Sequence, residues 1–240
     1  SQRIDDNTWR IKTPVKRAIC LSTTHIGFIE WLNHTGSVVG ISGSDYVVNK
    51  VLREALAAGR VFDVGYDDNL NIEQILKLKP DVVFAYGVNA SVTNTVNKLG
   101  ELGIPVVLIG EYLEQHPLAK LEWAKVFASC YGLYDTVTQK FDSAVYRYNH
   151  LVQKANSTAS KPKVLMGLPW QGTWFVSGSK SFTARLINDA GGEYIFNYLD
   201  FNESQPLGLE KIYESALRAE YWINPGEARS INEIIAVDPR

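Results

Sequence analysis

Residues 71–84 read NIEQILKLKPDVVF, and residues 208–223 read GLEKIYESALRAEYWI. Each opens on an apolar–Glu–polar–Ile core, runs about two helical turns, and then meets an acidic residue and a short apolar run. In the first, Asn71 is a helix N-cap and Pro80 forbids the helix to continue. The apolar DVVFA that follows has the composition of a strand buried on both faces. The second copy repeats the plan, with Glu210 standing where Glu73 stands and Glu220 where Asp81 stands. A helix-to-strand unit that occurs twice, in the same order relative to its neighbours, predicts a duplicated α/β lobe.

Working outward, apolar runs alternate with helical patterns. Residues 16–21 (KRAICL) and 38–41 read as strands, with a helix capped by Thr24 between them and Gly36 closing it. A helix through Ala58, the strand 81–85, the helix 91–102 and the strand 106–109 complete a first lobe. From Leu118 to about Ala155 no strand is predicted. One helix precedes Gly132, and a second of about 20 residues carries Val137, Phe141, Val145, Tyr148, Leu151 and Val152 on one face. After the turn cluster 156–162, alternation resumes with the strand 164–168, the helix 182–190 closed by Gly191-Gly192, the GLEKIY helix and the strand 221–224. Residues 24–41 and 181–196 also share a plan of polar cap, helix, glycine and short strand. The expected architecture is α/β, with two Rossmann-like lobes of mostly parallel sheet joined by a long helix. Its divisions are an N-terminal lobe at 1–117, a helical bridge at 118–156 and a C-terminal lobe at 157–240.

Composition excludes several classes. The 240 residues carry a net charge of −2, with 45% hydrophobic and 21% charged residues. No basic field suits nucleic acid or an anionic membrane. No apolar run approaches the roughly 20 residues that span a bilayer. Cys20 and Cys130 make neither a disulfide framework nor a zinc pattern, and both read as buried thiols. Phosphate-loop, dinucleotide, metalloprotease and nucleophile-elbow motifs are absent. The four histidines are scattered, and nothing in their spacing assembles a catalytic dyad.

Ligands of open α/β sheets sit at the carboxyl ends of the strands. There the first lobe places Thr24, His25, Ser44, Asp45, Tyr46, Tyr86, Asn89, Glu111 and Tyr112. The second places Trp170, Trp174 and Phe175. Six aromatic rings with a few polar groups, expected to face one cleft, suit a bulky and partly apolar small molecule. The alternative for Trp174 and Phe175 is that they begin a strand and pack in a core. These loops hold almost no Lys or Arg, which disfavours a highly anionic ligand.

The ordered set RAICLS, VVGIS, NIEQILKLKPDVVFA, LGIPVVLIG, GTWFVSGSKSFTARLINDAGGEYIF and LGLEKIYESALRAEYWIN resembles the periplasmic binding proteins of ABC importers for iron-siderophore, haem and cobalamin, over roughly residues 14–240. The resemblance implies a non-enzymatic, monomeric receptor. Its two lobes would be bridged by the helix 134–155 and would hold a metal chelate between them. By position it implies that Glu73 and Glu210 dock onto a two-fold permease. It implies a periplasmic or other extracytoplasmic location, with a lipid anchor possible in such receptors, and no cofactor other than the transported chelate. Ferric siderophore and cobalamin are favoured over haem, for want of a convincing His–Tyr pair. Haem would take its axial ligand from His25, Tyr46, Tyr86 or Tyr112. The family pattern continues past Val237-Asp238-Pro239-Arg240, so the second lobe is expected to be either truncated or unusually small. Two competing readings are a Zn or Mn receptor, built on His25, Asp45 and Glu111, and a chelatase-like enzyme.

Overall fold

The computed structural model describes residues 10–66, 69–87 and 90–239, and of residues 90–92 only the backbone. Asn89, expected among the loop residues, lies outside the described residues. The chain divides into two compact units. The first runs through Tyr112 and adds Leu121–Phe141; the second comprises Leu113–Lys120 and the chain from Asp142 onward. The helical segment expected at 118–156 is therefore shared between them. Ala124, Phe127 and Ala128 are fully buried in the first unit's core, and this packing assigns that stretch.

In the first unit, β1 (Ala18–Cys20), β2 (Val38–Ile41), β3 (Phe62–Asp63), β4 (Val82–Ala85) and β5 (Val106–Leu108) form one parallel sheet in the order β3-β2-β1-β4-β5. Successive strand residues point to opposite faces. Ala18, Cys20, Val82 and Phe84 join one core with α1 (Thr23–Trp31), α2 (Lys50–Ala57) and α6 (Ala124–Tyr131). Ile19, Val83 and Ala85 join the other with α3 (Ile72–Leu78) and α4 (Ala90–Glu101). Both faces are covered, which is why β1 and β4 read as unbroken apolar runs. Desolvation in the first core pushes the Cys20 thiol far above its ordinary value and Cys130 up to about 11.

The short α5 (Pro117–Glu122) precedes α6, and α7 (Tyr134–Asn156) is a 23-residue helix that begins in the first unit and ends in the second. The second unit holds β6 (Lys163–Met166), β8 (Glu193–Tyr194) and β10 (Tyr221–Ile223) as a parallel sheet in the order β10-β6-β8. An antiparallel pair, β7 (Trp174–Ser177) with β9 (Ser204–Leu207), accompanies it. The helices are α8 (Phe182–Asp189), α9 (Leu209–Ala216) and α10 (Ile231–Val237). The β7–β9 pair and α10 were not expected from sequence. Pro206 speaks against a strand, and it is accommodated because β9 pairs on one side only.

The repeated unit does the same structural work in both places. Asp81 Oδ2 accepts the backbone N–H of Lys16 and Arg17 at 2.8 and 2.9 Å, while the Asp81 N–H donates to the Arg17 carbonyl. Glu220 Oε1 accepts from the Lys163 N–H at 3.0 Å, and the Glu220 N–H donates to the Lys163 carbonyl. Each acidic residue thus fastens the start of its strand to the start of the central strand, β4 to β1 and β10 to β6. Tyr221, Trp222 and Ile223 are exposed, whereas Val82–Ala85 are buried. The difference follows from pairing: β5 flanks β4, and no described strand flanks the outer edge of β10.

Gly178 ends β7 where residues 178–180 pair with 199–203 through backbone bonds to Glu203, Leu199 and Phe201. A Cβ at Gly178 would overlap the Phe201 carbonyl and ring. Gly178→Ala is therefore expected to destabilise the protein by about 1–3 kcal/mol, read as a lower urea midpoint at unchanged slope.

Candidate functional site

The first unit gathers its polar and aromatic groups at the carboxyl ends of the strands. Ser22, not Thr24, caps α1: its hydroxyl accepts from the Thr24 N–H. This leaves the Thr24 hydroxyl to donate to Glu111 Oε1 at 2.7 Å. Glu111 opens a single 3₁₀ turn after β5 and is buried, with Oε2 unpartnered. His25 is fully buried against Phe127 and Tyr86, at ring separations of 5.9 and 6.5 Å. Burial lowers its pKa to about 4. The Phe84 backbone offsets part of that shift, but neither ring nitrogen reaches hydrogen-bond geometry. His25 is thus a neutral core ring rather than an exposed ligand group.

After β2 the chain turns through Gly43, whose φ of 70° lies in the left-handed region that glycine tolerates. Ser44–Tyr46 form a 3₁₀ turn, held by donation of the Ser44 N–H to Asp63 Oδ2 at 2.8 Å. Asp63 also accepts from the Gly65 N–H. Partial burial would raise the Asp63 pKa, but the bonds from Ser44 and Gly65 outweigh it and hold the carboxyl below its ordinary value. Asp45 is exposed, and Tyr46 is 71% exposed with Tyr66 beside it at 6.5 Å. Tyr86 and Tyr112 meet edge to face at 6.5 Å, and the Tyr112 hydroxyl donates to the Gly87 carbonyl. Sequence reading missed Tyr66 because β3 is only two residues long and carries no legible strand pattern.

In the second unit, Gln171 and Gly172 both have positive φ, the signature of a two-residue type I′ turn. The turn lifts Trp170 to 66% exposure. Strand alternation then buries Trp174 and leaves Phe175 about half exposed. Trp174 belongs to the core of this unit. It stacks on Trp222 at 6.0 Å and lines a cavity of ≈ 760 Å³ with Leu165, Tyr213 and Ile234. Among the described residues, no three His, Cys, Asp or Glu side chains come together to hold a metal ion, so His25, Asp45 and Glu111 do not form the set a bare-metal receptor needs.

Glu73 and Glu210 occupy the second position of α3 and α9, two residues after the caps Asn71 and Gly208, and both are exposed. A carboxylate is favoured there by the helix dipole.

Residues 19–234 match the family model described as periplasmic binding protein. The chain belongs to the periplasmic binding protein family. It is a family of binding proteins rather than enzymes, and its two-lobed α/β architecture is the one described above. An uncharacterized lipoprotein of Methanocaldococcus jannaschii is 31% identical over 234 residues, 93% of this chain and 55% of the relative. Across three relatives from that organism, the chain spans 55–62% of their length. Two solved structures share the fold. One is a possible iron-binding (periplasmic solute-binding) protein from Staphylococcus epidermidis, with TM-score 0.70, 16% identity, and coverage of 93% of this chain and 83% of that one. The other is the periplasmic vitamin B12 binding protein of Vibrio cholerae, with TM-score 0.63, 16% identity, and coverage of 88% and 76%. Among the described residues of this periplasmic binding protein, no helix is long and apolar enough to cross a membrane.

Proposed function

We propose that this protein is the substrate-binding protein of an ABC importer, capturing a metal chelate and delivering it to a permease dimer. The chelate is a ferric siderophore or cobalamin in preference to haem. The observation that carries this reading is the repeated helix-to-strand unit. It presents one exposed glutamate at the same helical position in each unit, Glu73 and Glu210, as a two-fold permease partner requires. Exposed rings at the strand ends (Tyr46, Tyr66, Tyr112, Trp170 and Phe175) support a bulky, partly apolar ligand. The names of the two similar solved structures, iron-binding and vitamin B12 binding, support the chelate class. The burial of His25 speaks against haem, since its ring is not offered as an axial ligand. The lipoprotein relatives support an extracytoplasmic, lipid-anchored receptor.

Titration of tryptophan fluorescence with cyanocobalamin, haemin and two ferric siderophores tests this. Saturable quenching by a corrinoid or a ferric siderophore at micromolar or lower concentration is expected, with Trp170 the reporting ring. Silence toward all four would overturn the chelate reading.

A further inference from the structure

Glu111 follows β5 at the carboxyl end of the first unit's sheet, and its residue is only 3% exposed. An ionised carboxylate has about four acceptor sites. Folding fills one of them, by the Thr24 hydroxyl on Oε1, and Oε2 has no partner. The neighbouring His25 is fully buried as part of the core. Buried polar groups are nearly always paired, and exceptions call for an explanation outside folding. Here the unpaired oxygen belongs to the residue before Tyr112, which pairs with Tyr86 at the strand ends where α/β sheets take ligands. Thr24, whose hydroxyl donates to this carboxylate, is itself exposed. The surrounding loop stretches 22–25, 42–46, 86–87 and 111–113 contain Asp45 and Glu111 but no Lys or Arg.

Resting on the chelate-receptor reading, we propose that Glu111 Oε2 accepts a hydrogen bond from the bound chelate and sets its charge preference. The receptor then favours chelates that are cationic or that carry amide or ammonium N–H groups. It rejects polyanionic catecholate chelates, whose oxygens would meet a carboxylate oxygen among loop stretches that hold no Lys or Arg.

The test titrates the wild-type chain and Glu111→Gln with three probes at fixed pH and salt: cyanocobalamin, the cationic ferrioxamine B, and a trianionic ferric tris-catecholate. Wild type is expected to bind one of the first two at least tenfold more tightly than the trianion. In Glu111→Gln, which keeps the shape and the contact to Thr24 but loses the charge, the ratio is expected to fall below threefold at an unchanged melting temperature. A wild-type preference for the trianion overturns the assignment. So does an unchanged ratio with lowered stability, which would make the carboxylate a structural group or the holder of a buried water. If wild type binds none of the probes, the receptor reading fails and the role of Glu111 falls with it.

Discussion

Reversing the charge of both glutamates, Glu73→Arg with Glu210→Arg, is expected to reduce importer-dependent chelate uptake to background while leaving the chelate Kd within about twofold. Both side chains are exposed and stand at the start of a helix. Their loss costs the fold only the helix-dipole term, roughly 0.3–1 kcal/mol each. At a docking interface the effect is larger, because a reversed charge places like charges face to face and disrupts both orientation and encounter. Each single reversal is expected to give an intermediate rate. The measurement is uptake by cells or proteoliposomes carrying the cognate permease, with circular dichroism to confirm the fold and a fluorescence titration to confirm binding. Normal uptake by the double variant would remove the docking role from both residues.

Acidification is expected to cost the wild-type protein about 3 kcal/mol between pH 6.5 and 4 through His25 alone. Burial lowers the pKa of this ring to about 4, against about 6.5 in an unfolded chain. Between those values the unfolded chain takes up a proton that the folded chain refuses, so unfolding binds protons and stability falls with acid. Above pH 6.5 both states are neutral at this position and the contribution is constant; below about pH 4 it levels off. His25→Phe keeps an aromatic ring against Phe127 and Tyr86 and removes the titration. Urea denaturation at intervals from pH 4 to 7 should show the wild-type curve falling more steeply than the variant's across that window. Parallel curves would mean that His25 is protonated in the fold or reached by solvent.

Much of the architecture was legible because its signals are local. Asn71 as a cap, Pro80 as a stop and an apolar DVVFA define α3 and β4 within one or two residues, and the long α7 follows from the spacing of its apolar side chains. The site was legible at its loops but not at its side chains. Ser22 and Thr24 are both competent caps, and only the distant Glu111, 87 positions away, decides that Ser22 caps while Thr24 is used elsewhere. Trp174 and Phe175 are adjacent aromatic residues with no local difference. The pairing of β7 with β9 determines which ring is buried.

From sequence alone come the repeated helix-to-strand unit, the α/β alternation, the placement of Glu73 and Glu210 at the start of their helices, and the resemblance to periplasmic binding proteins. These rest on short-range periodicity, capping and the order of the units. Tertiary structure alone decided that His25 is a neutral core ring, that Tyr66 joins Tyr46 on the surface, that the helical stretch before α7 packs into the first unit, and that Glu111 keeps an unpaired oxygen. Each depends on contacts between segments far apart in the chain, where burial and hydrogen-bond geometry, rather than residue type, fix what a side chain can do.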